Sequence, residues 1–362
     1  MKKILINTPV GYTGYGVVGW NLTKHLDLTG VDTTVFPISV QKFTSLPQLD
    51  SEEENNLLVK LSHRSFDSKA TCLKIWHQFD LAERIGTGKY IAFPFFEADK
   101  FNERELIHLN VPDELVVASQ WAKDIILSNG INKQITVVPL GVNREIFNPE
   151  LSNMRSRKDE DPYVFLAIGK WEIRKGHDIL HEVFNKAFSP SDNVELWIAA
   201  SSDKSCFSDK ELFEWHNYYQ TGPMKDKIKI IPRLPTQLDI ANKIAQADCG
   251  IFLSRAEGWN LELLEMMSMN KPVITTNYSA HTEFCTDKNS YLVDIDELEP
   301  AYDGKWFFGH GEWAKIGPNQ KEQIINLMRL VAKSKITTNL AGLETGIKYS
   351  WQNSVDTLIK CI

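Results

Sequence analysis

Cys249-Gly250-Ile251-Phe252-Leu253-Ser254-Arg255-Ala256-Glu257-Gly258-Trp259-Asn260-Leu261-Glu262-Leu263-Leu264-Glu265 reads as an apolar strand, a polar loop and the opening of a helix. The strand, 249–254, shows no in–out alternation, as expected for a strand covered on both faces. The helix, 262–269, carries Leu and Met at helical spacing. The same unit recurs on either side of it. Upstream lie strands at 163–169, 195–200 and 228–232, with helices at 178–188, 210–220 and 236–246; downstream is a strand at 273–276. Strand followed by helix, repeated, predicts βαβ units and a parallel sheet.

The first part of the chain repeats the alternation. A strand at 3–7 leads into a Gly-rich turn at 11–16, a helical stretch ending near Gly30 and a strand at 31–38. A helix over 51–61 opens on Ser51 with Glu54 three residues later, the spacing of a capping box. Strands follow at 73–77, 90–93 and 115–118, and a helix at 122–128 stops at Gly130. Residues 148–162 turn to Pro, Asn and Ser with a charge run at 155–161, which predicts a linker. The fold class is therefore α/β: two Rossmann-like doubly wound domains, 1–150 and 151–340. Between them a cleft is expected, facing the carboxyl ends of both sheets.

Composition narrows the function. A chain of 362 residues with 43% apolar and 24% charged residues is an ordinary globular protein of about two domains. Its net charge of −7 argues against a nucleic-acid partner, whose footprint is usually basic. No apolar run approaches the roughly 18–20 residues that span a bilayer, and the opening run stops at Asn7, too short for a signal peptide. Five widely spaced cysteines without a CxxC pair read as reduced thiols. A cytoplasmic protein is expected, at most peripheral to a membrane.

Three motifs promise less than they show. Gly14-Tyr15-Gly16-Val17-Val18-Gly19 fits G-x-G-x-x-G, but the second strand ends on Phe36 and Pro37, with no acid for a ribose. A loop over the cleft is the preferred reading. His177-Asp178-Ile179-Leu180-His181 mimics a zinc helix but has Asp where the general base should be Glu, and no further ligand is signalled. No metal is expected. The aromatic segment 306–313 reads as a surface insertion. Neither a G-x-S-x-G elbow nor a P-loop is present.

Two loops carry chemistry. Glu257 follows a strand, and the N–H groups of Gly258, Trp259, Asn260 and Leu261 open a helix, where such groups can hold a phosphate or sugar hydroxyl. Glu265 lies one turn beyond. Gly169-Lys170-Trp171-Glu172-Ile173-Arg174-Lys175-Gly176 follows the first strand of the same domain, and its three cations suit a diphosphate.

Together these residues resemble the GT-B glycosyltransferases, specifically the retaining nucleotide-sugar enzymes of glycosyltransferase family 4. Glu257 and Glu265 match that family's E-x7-E motif, and Lys170 and Lys175 fall where its Arg/Lys pair contacts the donor diphosphate. Val137-Val138-Pro139-Leu140-Gly141-Val142-Asn143, with Phe147 and Pro149, is similar to its passage between domains. Ala118-Ser119-Gln120-Trp121-Ala122 and the Gly14 to Gly19 glycines also have counterparts, and Ser350-Trp351 resembles the start of a terminal helix, 341–362, that packs back on the first domain. Lys170 for Arg and Asn260 for a second glycine depart from the pattern, and 294–318 matches no quoted motif.

The resemblance implies transfer of a hexose from a UDP- or GDP-sugar to a glycan, lipid or other hydroxyl acceptor, with retained anomeric configuration and no metal or other cofactor. In it Glu257 contacts the donor sugar, Glu265 the ribose, and Lys170 and Lys175 the departing diphosphate. Gly258, Trp259, Asn260, Leu261, Gly14 and Gly16 complete the donor site. His77 is a catalytic candidate on the acceptor or donor-sugar side, and Glu97 an acceptor-side one. Two other readings compete: a nucleotide-sugar epimerase of the same fold, and a sugar-nucleotide-binding protein without turnover.

Overall fold

The computed structural model describes residues 2–38, 49, 51–153, 158, 160–201 and 206–362. The chain divides into two compact units, Met1–Asn143 with Tyr349–Ile362, and Arg144–Lys348.

In the first unit the elements are β1 (Lys3–Thr8), α1 (Gly14–Leu28), β2 (Asp32–Pro37), α2 (Glu52–Ser62), β3 (Thr71–Ile75) and β4 (Tyr90–Phe93). They continue as α3 (Glu103–Leu109), β5 (Glu114–Val117), α4 (Gln120–Ser128) and β6 (Ile135–Val137). The six strands form one sheet in the order β2-β1-β3-β4-β5-β6, every pair parallel. Ile4, Leu5, Ile6, Leu73, Ile91 and Phe93 are buried, which explains runs without alternation. Ser51 caps α2 through Glu54 N. Gly14 and Gly16, expected in a loop, instead lie in the first turn of α1. A Cβ on Gly16 would stand 2.7 Å from the Gly11 backbone, and one on Gly19 2.4 Å from Pro9 O. Close helix packing on the preceding loop is what these glycines permit.

The second unit contains α5 (Glu150–Asn153), β7 (Tyr163–Lys170), α6 (His177–Ala187), β8 (Val194–Ser201), α7 (Asp209–Tyr219), β9 (Ile228–Ile230) and α8 (Gln237–Gln246). Next come β10 (Cys249–Phe252), α9 (Leu261–Ser268), β11 (Val273–Thr276), β12 (Tyr291–Val293), β13 (Leu298–Tyr302) and β14 (Phe308–Ala314), then α10 (Pro318–Lys333) and α11 (Leu340–Lys348). Its sheet runs β12-β11-β10-β7-β8-β9, again all parallel. Segment 306–313 belongs to the antiparallel hairpin β13–β14, with Trp313 buried and Trp306 half exposed.

The units do not divide where composition changes. The described part of 148–162 lies in the second unit, and the rest of its charge run lies outside the described residues. Ser268 Oγ donates to Phe147 O at 2.9 Å, tying the start of that stretch to α9. At the other end the region 341–362 is two helices. α11 packs on α9, whereas α12 (Trp351–Leu358) belongs to the first unit and packs on α1. Val142 pairs with Ser350, and a Cβ on Gly141 would stand 2.1 Å from Trp351 N, so only glycine admits this crossing.

Candidate functional site

In an open parallel sheet, ligands bind beyond the carboxyl ends of the strands where the strand order reverses. In the second unit that point lies between β7 and β10, because β8 and β9 run to one side and β11 and β12 to the other. The loop after β7 is 171–176 and the loop after β10 is 253–260, so the two segments singled out in the sequence meet there. Arg255 N donates to Arg174 O at 2.7 Å, and a Cβ on Gly176 would stand 2.3 Å from Leu253 O. Gly176 has φ +78°, which favours glycine and turns the chain into α6.

Glu257 is the centre of this junction and is 4% exposed. Its Oε1 accepts from Lys175 Nζ at 2.7 Å and from Ser254 Oγ at 2.6 Å. Oε2 accepts from Arg174 Nη1 at 2.9 Å, and the Glu257 backbone N–H donates to Ser279 Oγ at 2.8 Å. Burial pushes the carboxyl's pKa up, but Lys175 and Arg174 outweigh it and hold the group well below the carboxylate range. Lys175 loses charge stability to burial and regains more from Glu257 and Glu262, so its pKa is raised. Lys170, at the end of β7, is different. Its side chain is half exposed and its nearest acid is Glu172, at 4.0 Å.

Asn260 caps α9 with φ +84° and ψ 79°, the left-handed region that glycine enters most easily. Its Oδ1 accepts from Leu263 N at 3.3 Å, and Nδ2 contacts His281 Nε2 at 2.9 Å. His281 Nδ1 lies 3.0 Å from Thr276 O, which accepts only, so the proton sits on Nδ1 and Nε2 accepts from Asn260. Burial lowers the His281 pKa to about 4, despite the opposing field of Glu257, and keeps the ring neutral. Asn260 thus takes a glycine's backbone geometry with its side chain bound to His281 and to α9. Trp259 is buried with its ring 4.8 Å from Phe284. Gly258 is buried and Leu261 half-buried. Glu265, inside α9, is 6% exposed; burial and then Glu262 raise its pKa well above the usual range.

The first unit's order reverses between β1 and β3. There Tyr15, in the first turn of α1, meets the residues after β3: its hydroxyl lies 3.3 Å from His77 Nδ1 and its ring 5.5 Å from Trp76. His77 stacks on Phe79 at 4.9 Å, and Phe95 lies edge-on to Tyr15. Glu97 is half-buried just beyond this cluster.

The zinc-like histidines are engaged otherwise. Tyr219 donates its hydroxyl to His177 O and meets His177 Nδ1 at 3.0 Å; His181 Nε2 donates to Thr221 O at 2.9 Å. Among the described residues, no group of three or more His, Cys, Asp or Glu is placed to hold a metal ion. Two residues of the site were not singled out in the sequence. In the sequence Arg174 is one of three cations in its segment, and nothing marks Arg255. Arg255 forms a bidentate pair with Asp178 at 2.8 and 2.9 Å, donates to Ile173 O and reaches Glu299 on the hairpin at 3.0 Å. Their place on strand-end loops was the available signal.

Residues 162–302 match the family described as "Glycosyl transferases group 1". The phosphatidylinositol N-acetylglucosaminyltransferase GPI3 subunit of Saccharomyces cerevisiae is 23% identical over 170 residues, 46% of this chain and 36% of that protein. The chain therefore spans about a third of that relative's length. Among solved structures, sucrose-phosphate synthase from Thermosynechococcus elongatus superposes with a TM-score of 0.73 at 14% identity, covering 100% of this chain and 98% of that one. HepE of Anabaena in complex with UDP and glucose superposes with a TM-score of 0.65 at 13% identity, covering 100% and 99%.

Proposed function

We propose that this chain, whose residues 162–302 match the group 1 glycosyl transferases and whose fold is that of GT-B enzymes, is a glycosyltransferase that moves a hexosyl group from a nucleoside-diphosphate sugar to a hydroxyl acceptor with retained configuration and without a metal ion. One observation carries the reading: a buried carboxylate held by two cations, beside a half-exposed lysine, at the strand reversal of the unit that matches the family. Donor transfer breaks the bond between the anomeric carbon and the diphosphate oxygen, and negative charge grows on that oxygen. Lys170 meets the diphosphate, and Lys175, 2.7 Å from Glu257 Oε1, adds its field; such stabilisation is worth most where charge develops. These cations supply the positive charge that a metal ion supplies in other transfers. Glu257 holds donor-sugar hydroxyls, and the N–H groups at the start of α9 meet sugar and phosphate. Glu265, buried on the next turn, takes the ribose hydroxyls. His77 and Glu97 are assigned to acceptor-side work in the first unit. UDP is the favoured nucleotide, since HepE is described with UDP and glucose; GDP fits the same phosphate and ribose contacts. The acceptor is a glycan or a lipid-linked hydroxyl. Among the described residues no helix is long and apolar enough to cross a membrane, which accords with work in the cytoplasm or at a membrane surface.

The test is release of nucleoside diphosphate from a panel of UDP-, GDP- and ADP-sugars, with NMR of the new anomeric centre. Donor-selective release with retained configuration is expected. Binding without release for every donor and acceptor offered would contradict transfer, and an inverted product would contradict retention.

A further inference from the structure

Arg174 is engaged through all three of its guanidinium nitrogens. Nε and Nη2 donate to Glu172 Oε2 at 3.1 and 2.8 Å, while Nη1 donates to Glu257 Oε2 at 2.9 Å and to Ala256 O at 2.8 Å. Arg174 and Glu172 are each 7% exposed. Lys175 reaches the other oxygen of Glu257 with one ammonium on a flexible stem. A planar fork with its donors fixed on both sides has one geometry, whereas an ammonium can turn toward a new anion. The charges divide the same way. Arg174 is shared by Glu172 and Glu257, Lys175 is paired with Glu257, and Lys170 is the half-exposed cation of the three, with Glu172 at 4.0 Å.

We infer that Arg174, oriented by Glu172, is a positioning residue that fixes the Glu257 carboxylate independently of Lys175, so that Glu257 keeps its place when a donor diphosphate draws on the lysine. The inference rests on the donor-sugar role given to Glu257 above. The groups facing Glu257 are Lys175 and Arg174 from the loop after β7, Ser254 from its own loop, and Ser279 and His281 from the segment after β11; Glu172 acts through Arg174 and Glu262 through Lys175. Removing the guanidinium leaves Glu257 and Glu172 as two acids with one fewer cation between them. The Glu257 carboxyl then titrates at higher pH, and transfer that needs the carboxylate loses its acid limb earlier.

The experiment compares wild type, Arg174→Met, Arg174→Lys and Glu172→Gln by transfer rate across pH, by UDP and GDP binding, and by carbon-13 NMR titration of the Glu257 carboxyl, assigned with Glu257→Gln. Arg174→Met is expected to lower kcat about 100-fold, the scale of a misplaced reacting group, with nucleoside-diphosphate affinity within about 3-fold. Its acid limb and the Glu257 titration move up together. Arg174→Lys recovers part of kcat, and Glu172→Gln shows a smaller loss of the same kind. If Arg174→Met does not fold, Arg174→Lys and Glu172→Gln carry the same comparison. Folded variants with unchanged kcat and an unchanged Glu257 titration would overturn the inference. A wild type that binds donors without turning them over would instead count against the proposed function, and the NMR titration would still decide what Arg174 does to Glu257.

Discussion

The two α/β units solve the same packing problem and finish it with opposite chemistry. Each has six parallel strands, and each places its candidate residues where the strand order reverses. The first unit closes that edge with rings: Tyr15, Trp76, His77, Phe79 and Phe95 touch one another. The second closes it with charge: Glu172, Arg174, Lys175 and Glu257 form one buried ion network. On the proposed function the difference follows from what each edge would hold. Ring faces suit neutral, partly apolar groups, whereas a diphosphate needs cations that stay charged, and buried cations stay charged only when paired.

The largest effect that would sharpen the contrast is in the ion network. Lys175→Ala or Glu257→Ala should slow transfer about 10²–10³-fold, the scale of a lost preorganised charge. Steady-state kinetics, with circular dichroism to confirm folding, read this. Retained activity in both would break the assignment of chemistry to the second unit. Next is His77→Ala, which removes a stacked ring from the first edge. Transfer should fall about 10-fold, as for a lost positioning contact, with no change in UDP or GDP affinity by calorimetry. A loss of nucleotide affinity would erase the distinction between the edges.

Glu265→Gln separates binding from stability. The buried acid has a raised pKa, so above its unfolded value near 4.3 the unfolded state binds fewer protons at this site than the folded one. Its contribution therefore makes stability fall as pH rises through that window. The amide has no proton to gain or lose, so the variant should gain about 2–4 °C in Tm at pH 8, the scale of about 1 kcal/mol in a unit of this size, and little at pH 4. Nucleotide affinity should drop about 10-fold as the acid's hydrogen bonds to the ribose hydroxyls are lost. Thermal scans at both pH values check the sign. Asn260 gives the smallest effect: Asn260→Gly keeps the left-handed backbone and transfer, and Asn260→Ala costs about 1–2 kcal/mol through the lost cap and the strained φ.

How far the sequence could be read follows from the same comparison. Buried strands such as those containing Ile4 to Ile6 and Val164 to Ile168 announce themselves because both faces are covered, so no polar residue interrupts them. Ser51 announces its helix because a cap bonds locally. The glycine pattern from Gly14 to Gly19 is ambiguous, because a phosphate loop and a tightly packed helix start both need residues without a Cβ, as Gly16 and Gly19 are placed here. The passage at 148–162 shows a related limit: loop composition does not say which unit a loop packs on, and the neighbouring Phe147 is held by Ser268, far along the chain. Glu257 and Lys175 stood out as charges after strands. That Arg174 shares Glu257, and that Asn260 leans on His281, depends on contacts between loops that no local pattern encodes.

The most direct test is calorimetric titration of UDP and GDP into wild type, Lys170→Ala, Glu265→Gln and His77→Ala. The account predicts that one nucleoside diphosphate binds wild type, that Lys170→Ala and Glu265→Gln each weaken it about 10-fold or more, and that His77→Ala leaves it unchanged. Binding that is indifferent to Lys170 and Glu265, or that is lost in His77→Ala alone, would contradict the placement of the donor site at the charged edge of the second unit.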